Sequence, residues 1–136
     1  MKKSFVIIKP DGIGKKIVGE IISRFENENL YISRLKMIHI DRELACIHYR
    51  DHKGKPYFER LINYITADSS VVMVLEGEDA VNKVRKIMGN TDPLKAISGT
   101  IRSDFGTDIT INVVHGSDSA ESAEREIRLF FKDYYQ

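Results

Sequence analysis

What most constrains this chain is how its hydrophobic period changes along 136 residues. Four short stretches carry strand-like patterns, and helical patterns fill the intervals between them. Ser4 to Ile8 is a β-branched and aromatic run, read as a buried strand that Pro10-Asp11-Gly12 breaks. From Ile17 the period becomes helical. Ile17, Val18, Ile21, Ile22 and Phe25 share one face, and Glu20, Arg24 and Glu28 lie away from it. Leu30 to Ile40 reads as a second strand, with Leu35 and Met37 alternating with Arg34 and Lys36. Ser70 to Leu75 is a third, and Thr107 to Val114 a fourth on the alternation of Ile109, Ile111 and Val113.

Helix signals punctuate the rest. Asp41 suits an N-cap for a helix to about Tyr49 with Leu44 and Ile47 inward. Pro56 suits the first turn of another, carrying Phe58, Leu61, Ile62 and Ile65. Asp79 is placed to cap a helix bearing Val81, Val84 and Met88, which Gly89-Asn90 ends. Thr91 to about Asp104 reads as a loop. Ser119 opens the last helix, with Ala120, Ala123, Ile127, Phe130 and Phe131 as its stripe and Glu121 and Glu124 where the helix dipole favours negative charge. The order β-α-β-(α-α)-β-α-β-α predicts one α/β sandwich of the α+β kind, best matched by the split β-α-β arrangement of ferredoxin-like folds. With no repeat or linker, residues 1–136 are expected to form a single domain.

Composition narrows the function. A net charge of +1 carries no signature of a specific nucleic-acid binder. The single cysteine, Cys46, cannot build a disulfide framework, which points to a reducing compartment and a small buried hydrophobe. No apolar run approaches the roughly 20 residues that span a bilayer. The charged, short-cored N-terminus is no signal peptide. The cytoplasm is the expected location.

The informative segment is Asn112-Val113-Val114-His115-Gly116-Ser117-Asp118-Ser119, where a strand meets a helix N-terminus. Such a junction presents free N–H groups and a positive dipole end, which suit phosphate. A histidine there can donate to phosphate, move protons or attack phosphorus, and an unperturbed imidazole, with pKa about 6.5, is largely neutral at pH 7. Glu126 borders the apolar stripe of the last helix and could orient the ring. In a regular strand Asn112 and His115 would face opposite ways, so the strand must end or bulge before His115 if both serve one site. Lys9, Arg85 and Arg102 could supply cations, Arg as a fork and Lys as a point charge. Arg85 falls away from its helix's apolar stripe and equally suits a solvated face.

Other signals fail. Gly12-Ile13-Gly14-Lys15-Lys16 is glycine-rich but matches neither G-x-x-x-x-G-K-[ST] nor G-x-G-x-x-G. His48 and His52 have the spacing of a metal pair, but no Glu follows His48 and Gly54 frays the helix, so no zinc site is expected there.

His115-Gly116-Ser117-Asp118-Ser119 resembles the active-site signature of nucleoside diphosphate kinases, and Ile8-Lys9-Pro10-Asp11-Gly12 resembles that family's N-terminal motif. The likeness continues through His48-Tyr49, Pro56-Tyr57-Phe58, Thr91-Asp92-Pro93 and Gly99-Thr100-Ile101-Arg102, covering essentially the whole chain. The resemblance implies a four-stranded antiparallel sheet covered by helices. It also implies transfer of the γ-phosphate of a nucleoside triphosphate to a nucleoside diphosphate, by a ping-pong route through phosphorylated His115. Glu126 would then fix the imidazole, with Ser117 supporting Glu126. Lys9, Tyr49, Arg85, Thr91 and Arg102 would hold phosphates, and Lys9 and Asn112 would reach the ribose hydroxyls. Tyr57 and Ile109 would sandwich the base beside Leu61, giving broad base and sugar specificity. Mg²⁺ would arrive on the nucleotide phosphates, touched through water by Asp118. A homo-oligomer, hexamer or tetramer, is implied, with no membrane and no specific nucleic-acid partner. Tyr57 stands where the family often has Phe, Ser98 where proline is common, and Thr110-Ile111-Asn112 differs from common versions.

Two rivals belong to other classes. A phosphatase with a histidine intermediate would discharge phosphate to water. An RNA-binding module of ferredoxin-like fold would stack bases on strand aromatics, but the K/R-G-F/Y-G/A-F-V-x-F/Y signature is absent.

Overall fold

The chain is described by a computed structural model over residues 2–135. Its strands β1 (Lys2–Ile8), β2 (Tyr31–Ile38), β3 (Ser70–Gly77) and β4 (Val114–Gly116) form one sheet in the order β2-β3-β1-β4. Each pairing is antiparallel. Between β1 and β2 lie α1 (Pro10–Gly14) and α2 (Val18–Glu26). Between β2 and β3 lie α3 (Arg42–His48) and α4 (Phe58–Thr66). The link from β3 to β4 carries α5 (Ala80–Met88) and α6 (Ile101–Phe105), and α7 (Ala120–Phe130) closes the order.

Two hydrophobic cores flank the sheet, and β1 feeds both because its side chains alternate. Val6 and Ile8 pack with Ile21 and Phe25 of α2 and Val84 and Met88 of α5. Phe5 and Ile7 pack with Ile62 and Ile65 of α4 and Ile127 and Phe130 of α7. Such double-sided cover explains why the run from Ser4 to Ile8 is uninterrupted by solvated positions.

The expected elements are present, with several corrections. Thr107 to Asn112 is a loop, not strand. There the Asp108 carboxylate accepts from the Thr110 and Ile111 N–H groups, each at 2.8 Å, and Thr107 N–H donates to the Ile111 carbonyl at 2.8 Å. Backbone groups satisfied locally leave no ladder to pair with β1. Pro10-Asp11-Gly12 does not merely break β1; Pro10 starts α1, where its missing N–H costs nothing. The supposed loop after Thr91 contains α6, capped by the Thr100 hydroxyl accepting from Ser103 N–H.

Ile47 faces solvent at 42% exposure, and α3 instead turns Ala45 and His48 inward. Asp41 does cap α3, accepting from Leu44 N–H at 2.8 Å. Asp79 holds no backbone N–H. It sits at φ 53° and accepts from the Asn82 amide. Ala120 is exposed, whereas Ala123, Ile127, Phe130 and Phe131 are buried as expected. On the edge strand β2, Leu35 and Met37 remain open to solvent.

Candidate active site

The site begins where β1 ends beside the start of β4. Val113 has φ 77°, a conformation strained for a β-branched residue, and Val114 N–H reaches back to the Asn112 carbonyl at 2.9 Å in a tight γ-type turn. This is the bend that Asn112 and His115 require to serve one cleft. It is tied down from both sides. Lys9 N–H donates to the Val113 carbonyl at 2.7 Å, and Arg102 Nη2 donates to the Val114 carbonyl at 2.7 Å.

His115 is the middle residue of β4, opposite Ile7 of β1. Its Nε2 lies 3.1 Å from Glu126 Oε2. A carboxylate accepts, so Nε2 carries the proton and Nδ1 is the uncommitted nitrogen. The other Glu126 oxygen accepts from the Ser117 hydroxyl at 2.7 Å, and that hydroxyl oxygen accepts from Phe5 N–H at 3.0 Å. Glu126, Ser117 and the β1 backbone thus form a buried chain behind the ring. Helix α7 aims Glu126 because its start is fixed. Ser119 and Ser122 cap one another's N–H groups, each at 3.0 Å.

Cations surround the ring. Lys9 is 5% exposed and donates to Asn112 Oδ1 at 2.9 Å. Burial first, and then the Arg102 charge, bring its ammonium down to about 7, with Asp11 opposing. Arg102 is also buried, which lowers its guanidinium to about 10, so it stays charged at neutral pH. Much of its fork is engaged with backbone, since Nη1 donates to the Gly89 carbonyl at 3.0 Å. Asn112 is a hub whose amide donates to the Thr91 and Ile109 carbonyls at 3.0 and 3.1 Å. Burial raises the Tyr49 phenol well above its usual range.

These residues line one cleft of about 1330 Å³. It brings together Lys9, Tyr49, Arg85, Thr91, Arg102, Asn112, His115 and Asp118. Tyr57 and Leu61, remote in sequence from the histidine, and Ile109, from the loop just before it, line its other end. Glu126 and Ser117 stand behind the ring and not on the cleft wall. Asp118 is exposed, and the Ser122 hydroxyl chiefly, with Ser119, holds its carboxyl below the usual range. Lys83 and Lys86 add charge that sequence reasoning passed over, although their helix already carried Arg85. His48, weighed in the sequence only as a metal partner of His52 and as part of the family likeness, has its ring 4.6 Å from that of His115, centroid to centroid. Burial first, then His115, keep it neutral far below the ordinary imidazole range. Apolar periodicity in α3 pointed to Ile47 and gave no signal for it.

A ferredoxin-like sheet that presents a carboxylate-backed histidine to a cationic cleft defines a class: an α+β protein that holds anionic ligands against an imidazole. Residues 2–135 match the family described as Nucleoside diphosphate kinase. The chain is 57% identical over 131 residues to the nucleoside diphosphate kinase of Pelotomaculum thermopropionicum, covering 96% of this chain and 88% of that one. It is 58% identical to that of Pyrococcus furiosus, covering 97% and 84%. Among solved structures, the halophilic enzyme of Halobacterium salinarum in complex with CDP superimposes with a TM-score of 0.94 at 44% identity, covering 97% of this chain and 88% of that one. The enzyme of Encephalitozoon cuniculi gives 0.97 at 38%, covering 100% and 92%. This chain belongs to the nucleoside diphosphate kinase family.

Proposed function

We propose that this chain transfers the γ-phosphate of a nucleoside triphosphate to a nucleoside diphosphate through a phosphohistidine at His115 Nδ1. The single observation that carries this reading is the bond from His115 Nε2 to Glu126, which leaves Nδ1 free beside Lys9, Arg102 and Asn112. In the first half, the Nδ1 lone pair attacks the γ-phosphorus. The bond to the bridging oxygen breaks, and the diphosphate leaves with that electron pair. Glu126 stabilises the positive charge that grows on the ring. In the second half, a terminal oxygen of an incoming diphosphate attacks the phosphorus, and the N–P bond breaks back onto Nδ1. One site serving donor and acceptor in turn gives ping-pong kinetics.

Phosphoryl transfer passes through a loose, metaphosphate-like state, so positioning and charge do most of the catalysis. Lys9, Tyr49, Arg85, Thr91 and Arg102 hold the phosphates. Lys9 and Asn112 reach the sugar hydroxyls. Tyr57 and Ile109 clasp the base face beside Leu61, and stacking without edge recognition tolerates every base. The cation-rich wall of the cleft suits the phosphates, on whose oxygens Mg²⁺ would arrive, with Asp118 on the same wall to touch it through water. When bound there, a divalent ion neutralises phosphate charge.

The whole chain acts as one domain. The exposed Leu35 and Met37 on edge strand β2, and Leu94 and Ile97 at 92% and 80% exposure, support assembly into a hexamer or tetramer. No helix among the described residues is long and apolar enough to cross a membrane. The free thiol of Cys46 supports work in the cytoplasm.

Brief exposure to ATP and Mg²⁺, followed by intact-mass analysis at neutral or alkaline pH, tests the reading. One added phosphate per chain, absent from His115→Ala and discharged by any nucleoside diphosphate, is the expected result. Release of free phosphate without transfer to an added diphosphate would instead indicate a phosphatase.

A further inference from the structure

Phosphotransfer leaves His48 unused. Its side chain is 2% exposed, and neither ring nitrogen has a hydrogen-bond partner among the described residues. The rings of Phe5, Tyr49, Phe130 and His115 crowd it at 6.2, 4.5, 5.3 and 4.6 Å. A phenylalanine would fill that space without desolvating two polar atoms, so packing alone does not call for an imidazole. Its Nδ1 lies 4.0 Å from Glu126 Oε2, the oxygen that accepts from His115 Nε2. One donor atom from each of His48, His115 and Glu126 falls within 4.8 Å of the others. Ligands at about 2.0–2.2 Å from a tetrahedral ion stand roughly 3.4 Å apart, so modest rotation of the two rings closes the set.

We propose that His48, His115 and Glu126 bind a Zn²⁺ ion, separate from any cation on the nucleotide, and that this ion switches the nucleophile off. Two imidazoles and a carboxylate form a zinc donor set with a fourth position left open. Imidazole selects zinc or copper over magnesium, which prefers oxygen. The block follows from proton placement. A neutral imidazole has one proton. When the metal takes the Nε2 lone pair, that proton moves to Nδ1, and no proton leaves the ring. The atom that attacks phosphorus becomes an N–H, and Glu126 turns from the ring to the metal. The block rests on the phosphohistidine reading, whereas the binding does not.

Zn²⁺ titrated calorimetrically into the full chain without nucleotide should bind one ion per chain. Co²⁺ in its place should give the visible absorption of a four-coordinate site. Nitrogen-15 spectra should show the His115 proton moving from Nε2 to Nδ1. Zinc-loaded chain, freed of excess metal, should take up phosphate from ATP and Mg²⁺ only in proportion to the empty sites. His48→Phe should weaken Zn²⁺ by at least about 10-fold, the low end of what even an outer partner contributes, and still form phosphoenzyme. If His48→Phe does not fold, Glu126→Gln decides on binding alone. No uptake by the parent chain, or equal uptake by the variants, overturns the site. Binding that leaves the Nε2 proton and the phosphoenzyme yield unchanged overturns the block. A zinc-free chain that never acquires phosphate counts against the phosphohistidine reading, and calorimetry then judges the site by itself.

Discussion

The two ends of the cleft are built differently. Around His115, the supporting groups are buried and already bonded to one another. Glu126 is 4% exposed, Asn112 1% and Ser117 0%, and each holds at least one protein partner. At the other end Tyr57 is 42% and Ile109 61% exposed, on a short helical entry and a loop. The first end is organised before any ligand arrives, as electrostatic catalysis requires. The second presents the Tyr57 ring and Ile109 largely to solvent, which suits the proposed clasping of bases of different shape. Changes at the buried end should therefore lower kcat, and changes at the open end should raise KM.

The sharpest way to break this division is to remove the nucleophile. His115→Ala should cost more than about 10⁴-fold in kcat, since what survives comes from binding alone, and should abolish the phosphoenzyme seen by mass analysis. Normal nucleotide binding by calorimetry should persist. Substantial exchange by that variant would refute the assignment of the buried end. Next in size is Arg102→Met. Loss of one cationic group from a charge-stabilising site costs about 10²–10³-fold in kcat. This arginine also clamps the carbonyls of Gly89 and Val114. Thermal melting should therefore fall too, separating it from Arg85→Met, whose exposed side chain should affect turnover but not melting.

Much of the fold is legible in the sequence. The uninterrupted run of β1 marks a strand covered on both faces, and the residues from His115 to Ser119 mark a strand-to-helix junction. What escaped reading was set by long-range contacts. Alternation of Ile109, Ile111 and Val113 imitated a strand, but Asp108 gathers that backbone into a turn and Val113 bends it. Arg102 falls within the stretch that reads as a loop, because five-residue α6 is too short to show a period. The burial of His48 depends on Phe5 and Phe130, which lie far from it in sequence. Arg85 could be read as solvated or functional, and it is in fact both exposed and on the cleft wall.

The open end offers a smaller effect. Tyr57→Ala should raise KM about 10-fold, within the roughly 1–3 kcal/mol that stacking one base contributes, with kcat little changed. The direction should be the same for purines and pyrimidines. Tyr57→Phe loses only the hydroxyl contact with His52 Nδ1, at 2.6 Å, and should behave as the parent. Steady-state kinetics with four nucleotides would check both. A kcat loss in Tyr57→Ala would blur the proposed contrast.

The smallest effect, at most about one proton per site, reports on how the buried end meets charge. Lys9 has a pKa of about 7 in the fold against 10.5 for the free side chain, because burial and then Arg102 disfavour its charge. The sign follows from linkage. Between these values the unfolded chain binds the extra proton, so Lys9 makes stability rise with pH, and its cost is complete below about pH 7. A nucleotide phosphate reverses the balance by placing negative charge beside the amine. Binding should then raise the Lys9 pKa and draw in a proton. At pH 8.5 uptake should approach about one proton per site, and it should vanish below about pH 6, where Lys9 is already charged. Calorimetry of diphosphate binding in buffers of different ionisation enthalpy measures this directly. Lys9→Met should abolish the uptake and remove the rise in stability above neutral pH. Uptake that persists in Lys9→Met would assign the proton to another group and leave the amine as a fixed cation.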